Sequence, residues 1–137
     1  MRMPQLLVNL DVDDIERAVR FYTEGLQLRV GRRFDEGFVE LLGTDAPIYL
    51  LDKAAGSVPF DGATQSREYA RHWTPVHLDF VVQDIDAAIA RAVAAGANLE
   101  SQPSQHAYGR LALLSDPFGH GFCLLQFQGK GYDELLP

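Results

Sequence analysis

One cysteine, one tryptophan and two methionines in 137 residues deprive this sequence of several common designs. A lone Cys123 excludes an internal disulfide framework of the kind that oxidising compartments favour. No apolar run approaches the roughly 18 residues that a membrane-spanning helix needs. The chain opens Met-Arg-Met-Pro-Gln, without a basic segment leading into an apolar one, so the cytoplasm is the expected location. Basic residues are scarce as well: 12 Lys and Arg face 19 Asp and Glu, for a net charge of −7. A nucleic-acid binder must present clustered cations to phosphates. Neither nucleic acid nor membrane is therefore an expected partner, and a neutral or cationic small molecule suits the charge better. The 47% hydrophobic content is enough to build the core of one domain, or of two intimately packed halves.

The strongest internal pattern is a repeat. Leu7-Val8-Asn9-Leu10-Asp11-Val12-Asp13-Asp14-Ile15-Glu16 is echoed 70 positions later by His77-Leu78-Asp79-Phe80-Val81-Val82-Gln83-Asp84-Ile85-Asp86. Each copy is an apolar, β-branched run that ends in an Asp-Ile-acid triplet, and each leads into a helical pattern that closes at a glycine, Gly25 or Gly96. Stacked repeat arrays need at least about three shorter repeats, so this spacing predicts two copies of one supersecondary unit. In the first copy a strand over 5–12 precedes a helix capped by Asp13 with Glu16 three residues on, along which Ile15, Ala18, Val19, Tyr22 and Leu26 recur at helical spacing. Strands follow over 27–34, 38–42 and 47–51, giving the order β-α-β-β-β. The second copy has a strand over 76–82, a helix capped by Asp84 and built on Ile85, Ala88, Ile89, Ala92 and Val93, and strands over 98–106, 110–115 and 121–127. Asp116-Pro117-Phe118-Gly119 is the turn before the last of these. The predicted organisation is a first module over 1–53, a linker or lid over 54–75 with a short helix at 66–71, a second module over 76–128, and a loose tail over 129–137. The fold class is α+β.

Two such modules, the run Val-Asp-Asp-Ile-Glu-Arg-Ala-Val-Arg-Phe-Tyr-Thr-Glu-Gly-Leu at 12–26, and Tyr108-Gly109-Arg110 with Asp116-Pro117-Phe118-Gly119-His120 together resemble the vicinal oxygen chelate superfamily. That superfamily holds glyoxalase I, extradiol dioxygenases, fosfomycin-resistance enzymes and bleomycin-resistance proteins. The resemblance covers about residues 4–128. It implies a curved mixed-sheet cleft, pairing of modules commonly between two chains as a homodimer, and, in the metal-using members, one ligand from the first and one from the last strand of each module. Carried over, these places fall on Leu7, Tyr49, His77 and Cys123. Leu7 cannot ligate, and His77 with Cys123 leaves two donors where a stable site wants three or four. No metal and no other cofactor is therefore expected.

Asn9 and Asp79, two residues beyond Leu7 and His77, should face the same way, either as anchors for a ligand or as members of a polar network across the sheet. Cys123 reads as a small buried residue or, with His77 as its base, as a nucleophile. His120 reads as part of its turn. Phe21, Tyr22, Phe80 and Phe122 belong to the helix-to-sheet core, whereas Phe34, Phe38, Tyr49, Phe60, Trp73, Tyr108 and Phe118 line a cavity or fill the core. A floor of Leu7 and Tyr49, walled by Trp73 or Phe38, with His77, Asn9 or Asp79 orienting the ligand, suits flat apolar molecules. The expected function is metal-independent binding of a small aromatic, antibiotic-like compound, as in the bleomycin-resistance type. The alternative is a lyase, isomerase or dioxygenase of the same superfamily with a degenerate metal site.

Overall fold

Two aspartates start the two principal helices, and they occupy matching places in the repeat. The computed structural model describes residues 2–137. Asp14 is extended (φ −150°) and its Oδ1 accepts the Arg17 N–H at 3.1 Å, while Asp84 (φ −134°) accepts the Ala87 N–H at 3.1 Å. Such a cap satisfies one of the helix's orphan donors and contributes about 1 kcal/mol. The cap expected at Asp13 is thus one residue early; Asp14, the counterpart of Asp84, holds it. Helix α1 spans Ile15–Arg20 and continues as a wider π-type turn over Phe21–Gly25, and α2 spans Ile85–Ala94.

The chain divides into two units, Met1–Ala70 and Arg71–Pro137. In the first, β1 (Val8–Val12), β2 (Arg29–Asp35), β3 (Phe38–Leu42) and β4 (Ile48–Asp52) form a mixed sheet in the order β1-β4-β3-β2. β1 runs parallel to β4, and the other pairs are antiparallel. α1 packs on β4, and the covered face carries Val12, Val39, Leu41, Ile48 and Leu50, none more than 2% exposed. Strand alternation then forces Asn9, Tyr49, Glu40 and Phe38 to the opposite face. The short helix expected at 66–71 is not formed. Arg67 instead exchanges backbone hydrogen bonds with the 56–57 loop, its N–H reaching Ser57 O and its carbonyl accepting from Gly56, both at 2.8 Å, and its Nε donates to Asp11 at 2.7 Å. Those bonds use the backbone groups that a helix would need.

In the second unit β5 (Leu78–Val81), β6 (Asn98–Leu99), β8 (Gly109–Ser115) and β9 (Gly121–Phe127) lie in the order β5-β9-β8-β6, and β7 (Ser104–His106) also pairs with β8. The strand expected over 98–106 is therefore two short strands, and the sheet has five strands where four are predicted. Glu100 and Ser101 both aim their N–H at Leu113 O, so two residues oppose one and the edge is thrown out of register. Pro103 then brings no N–H of its own. α2 packs on β9 and β6, burying Ile85, Ala88 and Ala92 with Ala112, Leu114, Phe122 and Leu124. Phe118 is core, at 1% exposed. Its turn is locked by Asp116, whose carboxylate accepts the N–H groups of Phe118 and His120 and lies 2.7 Å from His120 Nδ1. The C-terminal stretch, expected as loose, makes a 3₁₀ turn over Gly131–Leu135 that sets Tyr132 edge-on to Phe127 at 4.8 Å. No helix among the described residues is long and apolar enough to cross a membrane.

Candidate functional site

On the open face of the first sheet, register builds a polar row. Asn9 lies opposite Tyr49, and Tyr49 lies opposite Glu40. Glu40 is buried, and a buried carboxylate needs partners for its lone pairs. It has four: the Tyr49 hydroxyl donates at 3.0 Å, Arg32 Nη2 at 2.7 Å, and Arg32 Nε and backbone N–H at 3.1 Å each. The side-chain bonds from Arg32 do most to hold the Glu40 carboxyl down at about 2, against the desolvation that opposes it. A Cβ at Gly31 would stand 2.5 Å from Glu40 Oε1, so glycine is what lets β2 approach this ion pair.

Beside the row lies a cluster of three rings. Phe34 and Phe38 are 4.5 Å apart between centroids, Phe38 and Tyr49 5.7 Å, and Phe34 and Tyr49 6.4 Å. The Arg32 guanidinium stands 4.8 Å from the Phe34 ring centre, within cation–π range. Phe34 is 46% exposed and Leu7 48%, and Asn9 is exposed. The arrangement presents apolar ring surface beside an amide that can donate and accept, with the nearby charge already neutralised.

The corresponding row of the second unit is different chemistry. Parallel pairing sets Asp79 opposite Cys123, and strand alternation puts His77, two residues before Asp79, on the same side. His77 Nδ1 lies 2.8 Å from Asp79 Oδ1. Burial, reinforced by the Asp79 charge, pushes the Cys123 thiol up to about 11. Cys123 is thus protonated at neutral pH, which disfavours the nucleophile reading. Ligand-type atoms of His77, Asp79 and Cys123 all fall within 4.8 Å of one another. Trp73 is exposed, with its ring 6.0 Å from that of His77. Tyr108 does not join this group. It sits where Gly109 pairs with Phe127, four residues along β9 from Cys123, or about 13 Å at strand rise. There it stacks on His106 at 5.0 Å and meets Tyr132 at 5.1 Å.

The ligand set implied for the metal-using superfamily members does not fit the first unit. Leu7 has no donor atom, the Tyr49 hydroxyl is engaged by Glu40, and Glu40 is held by Arg32. Sequence reasoning passed over Arg32 and Glu40 as site residues. The available signal was a glutamate inside an apolar strand, Val39-Glu40-Leu41, on the face away from the core. Asp79 was legible as facing the same side as His77, yet not as the third donor beside Cys123, because that follows from the β5–β9 register.

Comparison with known proteins bears on this geometry. A glyoxalase-like domain profile matches residues 7–125. The anthracycline biosynthesis protein DnrV of Streptomyces peucetius is 32% identical over 128 residues; the match takes in 91% of this chain but only 42% of the relative, so the chain spans less than half of that protein. Among solved structures, the fosfomycin resistance protein FosX of Listeria monocytogenes superposes with a TM-score of 0.73 at 18% identity, covering 99% of this chain and 98% of that one. A glyoxalase/bleomycin resistance protein/dioxygenase from Nocardioides superposes with a TM-score of 0.65 at 22% identity, covering 96% and 89%.

Proposed function

Because this chain belongs to the glyoxalase-like domain family, a family whose fold serves more than one chemistry, we propose that it is a small-molecule binding protein that captures a planar aromatic, antibiotic-like compound on the open face of its first unit, with no metal in the binding contact. The observation that carries this reading is the Phe34–Phe38–Tyr49 cluster beside the neutralised Arg32–Glu40 pair. A compound laid against Phe34 covers exposed ring surface, meets the guanidinium edge of Arg32, and reaches Asn9 for an orienting hydrogen bond. A relative named for anthracycline biosynthesis supports a fused-ring aromatic as the ligand class.

The test is a titration of an anthracycline and other planar aromatics, in buffer containing EDTA, into wild type and into Phe34→Ala and Tyr49→Ala, read by quenching of the compound's own fluorescence. Offset stacking contributes about 0.5–1.5 kcal/mol per ring pair beyond burial, so Phe34→Ala should weaken binding by about 2- to 12-fold, and Tyr49→Ala, a buried ring under the cluster, should weaken it by loosening Phe38 and Glu40. Binding abolished by EDTA, unchanged in both variants, or absent for every compound overturns the reading.

A further inference from the structure

Asp11 stands two residues beyond Asn9 on β1, so strand alternation sets its carboxylate on the same open face of the first unit, about 7 Å further along the strand. The group that takes this carboxylate comes from the segment after β4. Arg67 Nε donates to Asp11 Oδ2 at 2.7 Å, and the two side chains are 16% and 35% exposed. We propose that residues 56–67 form a lid over this end of the open face, with Arg67 on Asp11 as the latch that holds the lid's neck and slows the escape of a bound compound.

The neck is the first support. Arg67 ties the segment to itself through its backbone pairing with Gly56 and Ser57, and its Nη1 donates to Ser57 Oγ at 3.2 Å and to Val58 O at 3.1 Å. A surface loop whose ends meet in this way is an Ω-loop, and here one side chain both closes the loop and fastens it to the sheet. The stem is the second. The Tyr69 hydroxyl donates to Lys53 O at 2.7 Å, and the Lys53 N–H donates to Val12 O at 2.8 Å, so the chain enters and leaves the loop beside the end of β1. The tip is the third. Val58 and Phe60 are 52% and 67% exposed, and laying them against a ligand removes apolar surface from water. Phe60 is four residues from Gly56 and extends up to about 13 Å from the neck, farther than the roughly 7 Å from Asp11 back to Asn9.

The latch and the sheet differ in strength. β1 pairs with β4 without a shift from Val8 to Val12, a continuous ladder, whereas the loop hangs on one charge-assisted pair and a few bonds at its neck. Breaking that pair frees the loop while the ladder holds. The latch is a property of the chain alone; its effect on escape rests on the binding reading above.

The test has two readouts. Hydrogen–deuterium exchange is measured on the full-length chain without added compound, in wild type, Arg67→Ala and Asp11→Asn. Exchange across 54–69 should be about tenfold or more faster in both variants, with peptides of β3 and β4 unchanged. Unchanged exchange across 54–69, an equal rise in β3 and β4, or loss of the fold by circular dichroism in both variants overturns the latch. Dissociation of the anthracycline is then followed by stopped-flow displacement in EDTA. Arg67→Ala should speed it by about tenfold, and Phe60→Ala, a change at the exposed tip, by about 2- to 12-fold. Dissociation as slow as wild type in both variants overturns the lid. If no planar aromatic binds even the wild type, the binding reading fails and the lid's role in escape with it, while the exchange result still decides the latch.

Discussion

Glu40 shows how a single residue carries the first unit's open face. A buried carboxylate with Arg32 and Tyr49 as partners is charged in the folded state well below the pH at which it would protonate in an unfolded chain. Its folded value, about 2, lies under its ordinary 4.5. The stabilisation is therefore complete above about pH 4.5 and is lost as pH falls toward 2. Thermal melts of wild type should decline through that window, while Glu40→Gln should melt lower at neutral pH and show a flatter acid limb that converges on wild type near pH 2. Parallel wild-type and Glu40→Gln profiles would show that the pairing does not act this way. The glutamate was visible in the sequence as a charge in an apolar strand, but its partner was not. Arg32 reaches it across a β2–β3 pairing whose register shifts between Val30 and Arg33, and such a bulge leaves no reliable mark in alternation.

Among elements, the β8–β9 pair is the spine of the second unit, since β5, β6 and β7 all attach to it. Its start depends on Gly109, at φ +145°, where an added Cβ would collide with the Gln126 carbonyl. Both the left-handed φ and the close backbone approach demand glycine. Gly109→Ala should destabilise the fold by at least about 1–3 kcal/mol, seen as a lower urea midpoint and as faster amide exchange near Leu111 and Leu125. A variant with an unchanged midpoint would show that the backbones part there at no penalty. The strands themselves were largely readable, because apolar alternation follows from one covered face. The division of 98–106 was not, since it depends on Glu100 and Ser101 sharing the Leu113 carbonyl, an edge arrangement that only the neighbouring strand determines.

At the scale of the whole molecule, the expected assembly is a homodimer. Isologous C2 pairing is the commonest closed solution for a soluble chain, and the superfamily resemblance points the same way. Light scattering at micromolar concentration should give twice the 15.2 kDa chain mass; a value equal to the chain mass sinks the homodimer.

The repeat determined most of the architecture by itself. Two Asp-Ile-acid triplets, at 14–16 and 84–86, fix where two helices begin, and the apolar runs before them fix two parallel edge strands, because caps and alternation are local properties that neighbouring residues enforce. The same repeat marked Leu7, Asn9, His77 and Asp79 as facing residues. What each of them faces was decided only by tertiary structure. Register between paired strands sets Tyr49 against Glu40 on neighbouring strands of one unit and Asp79 against Cys123, on strands far apart in sequence, in the other. Equivalent places thereby became a neutralised aromatic face and a cluster of three donors, a difference held in cross-strand pairs.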